Sequence, residues 1–278
     1  VGILLNVYVA AASYVNLRKG RDKSPSDLII LLIGLSSVIF EFFHFFGNIA
    51  SMSYVHLFLI ENVCLVSINL VYSFTIFFST CLTSWLCSFY CIKIISVQHQ
   101  LPIFLKLRFC NVLPWTMAGT FLFCCILLII LPGIVYVVIP LEYTNTSSSS
   151  CPEINKTYSV ILFPITNIFN YLIVFPFLVI LLSLGSTVTS ILRYVWRIQN
   201  SSSLDSSHLK AHLKAIITMT LLLLLNVSYY IAQIILTWGL FPDCTPVRFM
   251  SVLIILIYPT GQSIILIAGN PKLKKKLM

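Results

Sequence analysis

The residues of this chain equipped to do chemistry are polar side chains set singly into long apolar runs. Glu41 and His44 interrupt one run and Glu61, Asn69 and Tyr72 the next; Asn167 and Asn170, then Tyr229, Tyr230 and Gln233, interrupt later ones. A polar group in such a run is expensive in hydrocarbon and turns toward a bundle interior or a wet cavity. Carboxylate, amide and phenol groups scattered among aromatic and aliphatic neighbours have the make-up of a small-molecule pocket, where few polar groups orient a ligand against an apolar wall. Glu41 is the sharpest of them. An intramembrane carboxylate needs a partner or water; ionised it attracts cationic ligands, protonated it is a neutral hydrogen-bonding group. Each residue also has a plainer use as interhelical glue, worth about 0.6 kcal/mol on average.

Catalysis is not written here. The chain has no His-Glu-x-x-His and no phosphate-cradling glycine loop, and no aspartate falls mid-run. Serine is abundant, but in one loop of glycosylation type. No cofactor is implied. Nine cysteines are present without the paired spacing of a zinc site. Most sit within runs, where cysteine is buried as a small apolar residue. Cys151 and Cys244 lie in expected loops and Cys64 near a helix end. Cys151 has Cys64 or Cys244 as candidate partners for a bridge in an oxidising compartment, with free thiols as the alternative.

The elements that position these residues follow from composition. Of 278 residues, 59% are hydrophobic and 9% charged, against about 25% charged in a soluble domain. The apolar stretches reach about 20 residues or more, the length of a membrane-crossing helix, and they are continuous rather than the alternating segments of a barrel. Seven spans are expected, at 1–17, 27–47, 57–95, 111–140, 158–192, 213–240 and 247–269. This is an all-α, seven-transmembrane bundle, read as one domain over 1–278. No cleavable leader precedes the first run, which is slightly short for a span and is expected to begin before Val1.

Charge orients the bundle. Arg18, Lys19, Arg21, Lys23, Lys93, Lys106, Arg108, Arg193, Arg197, Lys210, Lys214, Lys272 and Lys274 to Lys276 collect on one side, leaving Lys156 and Arg248 on the other. The basic side is cytoplasmic, so the N-terminus is outside and the C-terminus inside. The net charge of +9 is spread through these short loops, which excludes a nucleic-acid-binding face. The sequons at Asn145 and Asn155 both fall in the Ser-rich loop assigned to the outside. Two further matches, at Asn200 and Asn226, fall in a cytoplasmic loop and inside a span, where they are chance. Seven spans in this orientation match receptors that couple to G proteins. No internal repeat or pair of interrupted helices points to a transporter.

The ends of the spans carry more particular text. The first has Gly2-Ile3-Leu4-Leu5-Asn6, the second Ser26-Asp27-Leu28-Ile29-Ile30 and Gly34-Leu35-Ser36. The third closes on Leu86-Cys87-Ser88-Phe89-Tyr90-Cys91-Ile92-Lys93 and is followed by Pro102-Ile103-Phe104-Leu105-Lys106-Leu107-Arg108. The sixth is entered through His208-Leu209-Lys210-Ala211-His212-Leu213-Lys214. The seventh ends Tyr258-Pro259-Thr260-Gly261-Gln262-Ser263 and Gly269-Asn270-Pro271-Lys272-Leu273-Lys274. Together, over the whole chain, these resemble the type 2 bitter taste receptors. Phe-Tyr-x-x-Lys stands where rhodopsin-like receptors carry Asp-Arg-Tyr.

The chain departs from that family at named places. Ser37 stands where members usually have Arg, a change expected to alter the polar network of the inactive state. Gln262 replaces the His of a His-Ser pair, and Leu225-Asn226-Val227-Ser228-Tyr229-Tyr230 replaces Leu-Tyr-x-x-Tyr-Phe. The family's ligand-facing Trp and Asn of the third helix fall at Tyr72 and Ile76.

The resemblance implies a plasma-membrane receptor for small bitter compounds, acting through a gustducin-type heterotrimeric G protein. Its expected ligand residues are Glu41, Asn69, Tyr72, Ile76, Asn170, Tyr229 and Gln233, in a cavity between the third, fifth, sixth and seventh helices. Its expected coupling residues are Tyr90, Lys93, Arg108, His208 and Lys214, with His212 and Lys272 in support; Lys274 to Lys276 read as a lipid-facing tail. For the lysines the plainer role is sorting topology and meeting anionic lipid. Pro114, Pro132, Pro164, Pro176 and Pro259 fall inside spans, where each removes a helix hydrogen bond. Two other readings fit the plan: a vomeronasal type 1 pheromone receptor, and a transporter or channel using Glu41 in its pathway.

Overall fold

A computed structural model of the chain describes residues 2–19, 25–53, 58–98, 103–138, 154–199, 206–240 and 245–277. They form eight helices: α1 (Gly2–Lys19), α2 (Pro25–Ser53), α3 (Phe58–Gln98), α4 (Ile103–Val138), α5 (Ile154–Gln199), α6 (Ser206–Thr237), α7 (Pro246–Gly269) and α8 (Pro271–Leu277). Each of the seven expected segments falls on a helix, and the described residues include no strand. Six helices, α2 to α7, carry stretches long and apolar enough to cross a membrane. The eighteen-residue α1, which ends on Arg18 and Lys19, is not among those six.

Several helices outrun the expected spans. α3 has 41 residues and α5 has 46; at 1.5 Å per residue these run roughly 60–70 Å, about twice the hydrocarbon thickness. α4 starts at Ile103 rather than 111, and α6 at Ser206 rather than 213. Hydropathy marks where lipid ends. A helix continuing into water on polar residues leaves no such mark.

α3 is the axis of the packing. It contacts α2, α4, α5 and α6, while α7 contacts α1, α2, α6 and α8. Within their apolar stretches 67% of α3 is buried but only 17% of α4, so α4 rides at the edge with Trp115, Phe121 and Ile129 exposed. The main core joins Ile29, Ile30 and Ile33 of α2, Leu82 and Leu86 of α3, Leu222 of α6 and Tyr258 of α7. The many hydroxyls in these helices are answered locally: Thr75, Thr80, Thr83 and Ser88 each donate to the carbonyl four residues back. That spares an unsatisfied group in hydrocarbon.

Gly34 and Gly269 are among the glycines that set close approaches between helices. At Gly34 of α2 a Cβ would lie 3.0 Å from the Ala10 nitrogen and 3.1 Å from the Asn6 carbonyl of α1, so the backbones meet there as small residues allow. At Gly269 of α7 it would lie 2.6 Å from Thr218 Oγ1 of α6. A third, Gly239, has φ +57° and ends α6, the Leu240 N–H donating to the Ile235 carbonyl, a glycine-based stop.

The seventh helix ends where its sequence says it must. Asn270 is extended, its N–H donates to the Leu266 carbonyl, and Pro271 cannot continue the helix but can start the next. α8 then folds back against α1 and α2. Tyr8 Oη donates to the Leu273 carbonyl at 2.8 Å, Lys276 Nζ to the Ala12 carbonyl at 3.1 Å, and Lys272 Nζ lies 3.5 Å from Asp27 Oδ2. Docking α8 on α1 thus brings the Lys276 ammonium to a backbone carbonyl. Lys274, Lys275 and Lys276 are all exposed.

Candidate functional site

An aromatic centre forms where α2, α3, α6 and α7 converge. The ring of Phe40 lies 4.8 Å from that of Tyr72 and 5.9 Å from His44, and His44 lies 6.2 Å from Tyr72. The Tyr72 phenol interacts in turn with that of Tyr229, whose ring is 4.7 Å from Tyr258. The tilted arrangements are those the aromatic quadrupole favours. Two expected ligand residues, Tyr72 and Tyr229, are thus brought together. Ile76, one turn along α3 from Tyr72, is 2% exposed and enclosed by the core. Asn69 falls in α3 with its side chain outside the described residues.

Glu41 stands next to Phe40 on α2 and faces α1 and α7. Its Oε1 accepts from Asn6 Nδ2 at 2.9 Å and from Thr260 Oγ1 at 3.4 Å. Asn6 Oδ1 accepts in turn from the Ser263 hydroxyl, so one chain of bonds joins α1, α2 and α7. Ser37, at the expected arginine position, is buried beside Ser36, whose hydroxyl donates to its own helix at Ile33.

Asn170 and Gln233 meet at a separate junction. Asn170 Nδ2 of α5 and Gln233 Nε2 of α6 both donate to Thr237 Oγ1, each at 3.5 Å. Thr237→Val keeps the shape and removes the acceptor both amides use. We expect a loss of about 0.6–1.7 kcal/mol in thermal stability, the span of single interhelical hydrogen bonds, and an equal melting temperature for variant and parent would contradict the junction.

α7 is the polar hub of the bundle. Tyr258 Oη donates to Asn226 Oδ1 of α6 at 3.0 Å; Gln262 Nε2 donates to Thr83 Oγ1 of α3 at 2.9 Å; and Ser79 Oγ of α3 donates to Gln262 Oε1 at 3.1 Å. The α3 and α7 backbones do not themselves come together among the described residues, so the amide of Gln262 spans the gap.

Toward the α8 end, Tyr90 is half-buried on α3 and packs against both hydrophobic clusters of the bundle. Ser88 and Ser183 hydroxyls, 3.3 Å apart, join α3 to α5 nearby. Lys93 is exposed and Lys214 half-buried, its carbonyl accepting from Thr218. Arg108 falls in α4 and His208 and His212 in α6, their side chains outside the described residues, as are those of Cys64 and Glu61 on α3. Asn145, Cys151 and Cys244 lie outside the described residues altogether; Asn155 is the second residue of α5, its side chain likewise undescribed. An open groove of about 500 Å³ runs along α5 past Leu182, Gly185, Thr189 and Arg193 and includes none of the expected ligand residues.

Sequence reasoning missed Asn6, Thr83, Thr237 and Thr260. A signal was there for part of this network: Ser251, Tyr258 and Gln262 recur at spacings of seven and four, one stripe on α7. The threonines give none, since threonine in a span more often bonds its own helix.

Comparison with known proteins bears on what this arrangement serves. The profile of the family described as Taste receptor protein (TAS2R) matches residues 1–278. Among curated proteins the chain is 27% identical to taste receptor type 2 member 1 of Chlorocebus aethiops over 278 residues, covering 99% of this chain and 90% of that protein. It is 26% identical to the Pan paniscus member 1 over 277 residues, with the same coverage. It is 24% identical to taste receptor type 2 member 119 of Rattus norvegicus over 275 residues, covering 99% of this chain and 79% of that protein.

Proposed function

The chain belongs to the taste receptor type 2 family, and on that premise we propose how a bitter taste receptor of this sequence works. The family makes it a membrane-embedded G-protein-coupled receptor and sets the vomeronasal and transporter readings aside. A small bitter compound enters from the outer side and reaches the aromatic centre around Tyr72 and Tyr229. An agonist acts only through its affinity difference between two states of the protein. The centre is suited to report such a difference, because its rings come from four helices, one of them the α7 hub. Movement of α7 against α3 and α6 is passed to the end of the bundle that holds Tyr90, α8 and the basic loops. There a heterotrimeric G protein of the gustducin type docks.

The seven helical segments, α1 included, are the spans of one receptor domain over 1–278 in the plasma membrane. The N-terminus is extracellular and Asn145 and Asn155 carry glycans; Lys93, Arg108, His208 and Lys214 line the cytoplasmic face. The single observation that carries the proposal is the α7 hub: one helix hydrogen-bonded to α1, α2, α3 and α6 beneath an aromatic cluster. The test is calcium release in cells expressing the receptor with a promiscuous G protein, challenged with a panel of bitter compounds. Responses in receptor-bearing cells alone support it; surface-displayed receptor silent across a broad panel counts against it.

A further inference from the structure

We propose that the lipid-facing side of α5 holds one anionic glycerophospholipid of the cytoplasmic leaflet, its chain lying in the α5 groove and its phosphate on Arg193; the choice of leaflet rests on the orientation proposed above. The groove measures about 500 Å³, and among the described residues its lining includes Leu181, Leu182, Gly185, Ser186, Thr189 and Arg193. These recur at spacings of three and four, one stripe of the helix. Glycine gives the stripe its hollow: a Cβ at Gly185 would meet nothing within 4 Å, and Leu182 beside it is 71% exposed. The opposite side of the segment is the packed one, with Ser183 and Thr187 buried and the Ser183 hydroxyl 3.3 Å from that of Ser88 on α3.

The chemistry of the lining changes in the order of a phospholipid. Leucines and the glycine come first, then the Ser186 and Thr189 hydroxyls, then the guanidinium; the hydroxyl positions lie about 10 and 6 Å before Arg193 along the axis. Chain, ester and phosphate follow one another in the same sequence. Thr189 Oγ1 donates to the Gly185 carbonyl at 2.7 Å, whereas the Ser186 hydroxyl makes no bond among the described residues. A hydroxyl facing hydrocarbon is costly without a partner, and an ester carbonyl supplies one. Arg193 directly follows the apolar run 158–192, where a long basic side chain snorkels to the headgroups. Among the described residues the ion pair is Lys272 with Asp27, and no carboxylate answers Arg193. Guanidinium pairs with phosphate through two parallel bonds. With no acidic group among the described lining residues, a lipid of net negative charge is favoured over a neutral one.

Native mass spectrometry of the purified receptor, offered equal amounts of phosphatidylserine and phosphatidylcholine with identical chains, reads the retained lipid directly. The wild type keeps the serine lipid in about fivefold preference, the equivalent of about 1 kcal/mol for one cation at an anionic surface. Arg193→Gln brings the preference to parity. Gly185→Leu, whose new side chain starts in open space and fills the hollow, loses the retained lipid; Gly119→Leu, at an equally open glycine of α4, keeps it. Melting transitions show that all three variants are folded. A preference that survives both α5 variants overturns the proposal, as does a wild type that holds the two lipids equally. So does a complex abolished by Gly185→Leu that contains cholesterol or a second copy of the chain in place of phospholipid. Lipid retention as expected, in a receptor that no bitter compound activates, upholds the site and counts against the receptor reading alone.

Discussion

Replacing Gly34 by leucine keeps this receptor from reaching the cell surface, while the same replacement at Gly119 leaves surface display at the parental level. The difference is entirely in what the new side chain meets. At Gly34 the first carbon already lies 3.0 and 3.1 Å from backbone atoms of α1, and backbone cannot swing aside as a side-chain tip can. The helices must separate, loosening the core to which Val9 of α1 and Ile29, Ile30 and Ile33 of α2 belong. Overpacking a core costs typically about 1–3 kcal/mol; a backbone clash sits at the upper end. Since small changes in stability alter the abundance of a marginal protein several-fold, the effect on display is large. At Gly119 nothing lies within 4 Å of the added carbon, and leucine faces lipid. Surface labelling of an epitope-tagged receptor checks both at once, and equal display of the two variants rules out the close α1–α2 approach.

Gln262→Leu lowers the stability of the receptor by about 1–3 kcal/mol, from two interhelical bonds at about 0.6–1.7 kcal/mol each. The loss reaches beyond the side chain itself. Ser79 Oγ loses its acceptor and Thr83 loses the donor from Gln262, and both are buried. The control is Ser79→Ala, which removes one bond only. Melting temperatures of the two single variants and the double give a cycle whose coupling energy is non-zero if the bond exists. Strict additivity would show that Gln262 and Ser79 do not interact and that α7 is not held to α3 by this route.

How far the sequence carries depends on the kind of feature. Continuous apolar runs located seven of the eight helices, α1 to α7, because hydrocarbon demands them, and six of the segments are long enough as helices to cross. Loop charge gave an orientation that stands as part of the proposal. What could not be read were helix extensions such as Ile103–Asn111 of α4 and Ser206–Leu213 of α6, which lie past the apolar signal. Nor could the folding of Pro271–Leu277 onto α1 be read, since it depends on the Tyr8 hydroxyl and the Asp27 carboxylate, far away in sequence. Within the site, Glu41, Tyr72, Tyr229 and Gln233 stood out by type, since a carboxylate or phenol is conspicuous among leucines. Their partners Thr237 and Thr260 were hidden for the opposite reason. Gln262 was seen as a departure from the family's histidine, but its span from α3 to α7 needed the positions of both helices.

The most direct test of the central claim uses the purified receptor in lipid nanodiscs with a gustducin-type heterotrimer and measures nucleotide exchange on the Gα subunit. A bitter agonist is expected to accelerate exchange with the wild type, and Tyr72→Ala, which opens the aromatic centre, to weaken the agonist's effect while the receptor remains folded. Exchange that no agonist accelerates, with receptor shown to be folded by its melting transition, would contradict the account.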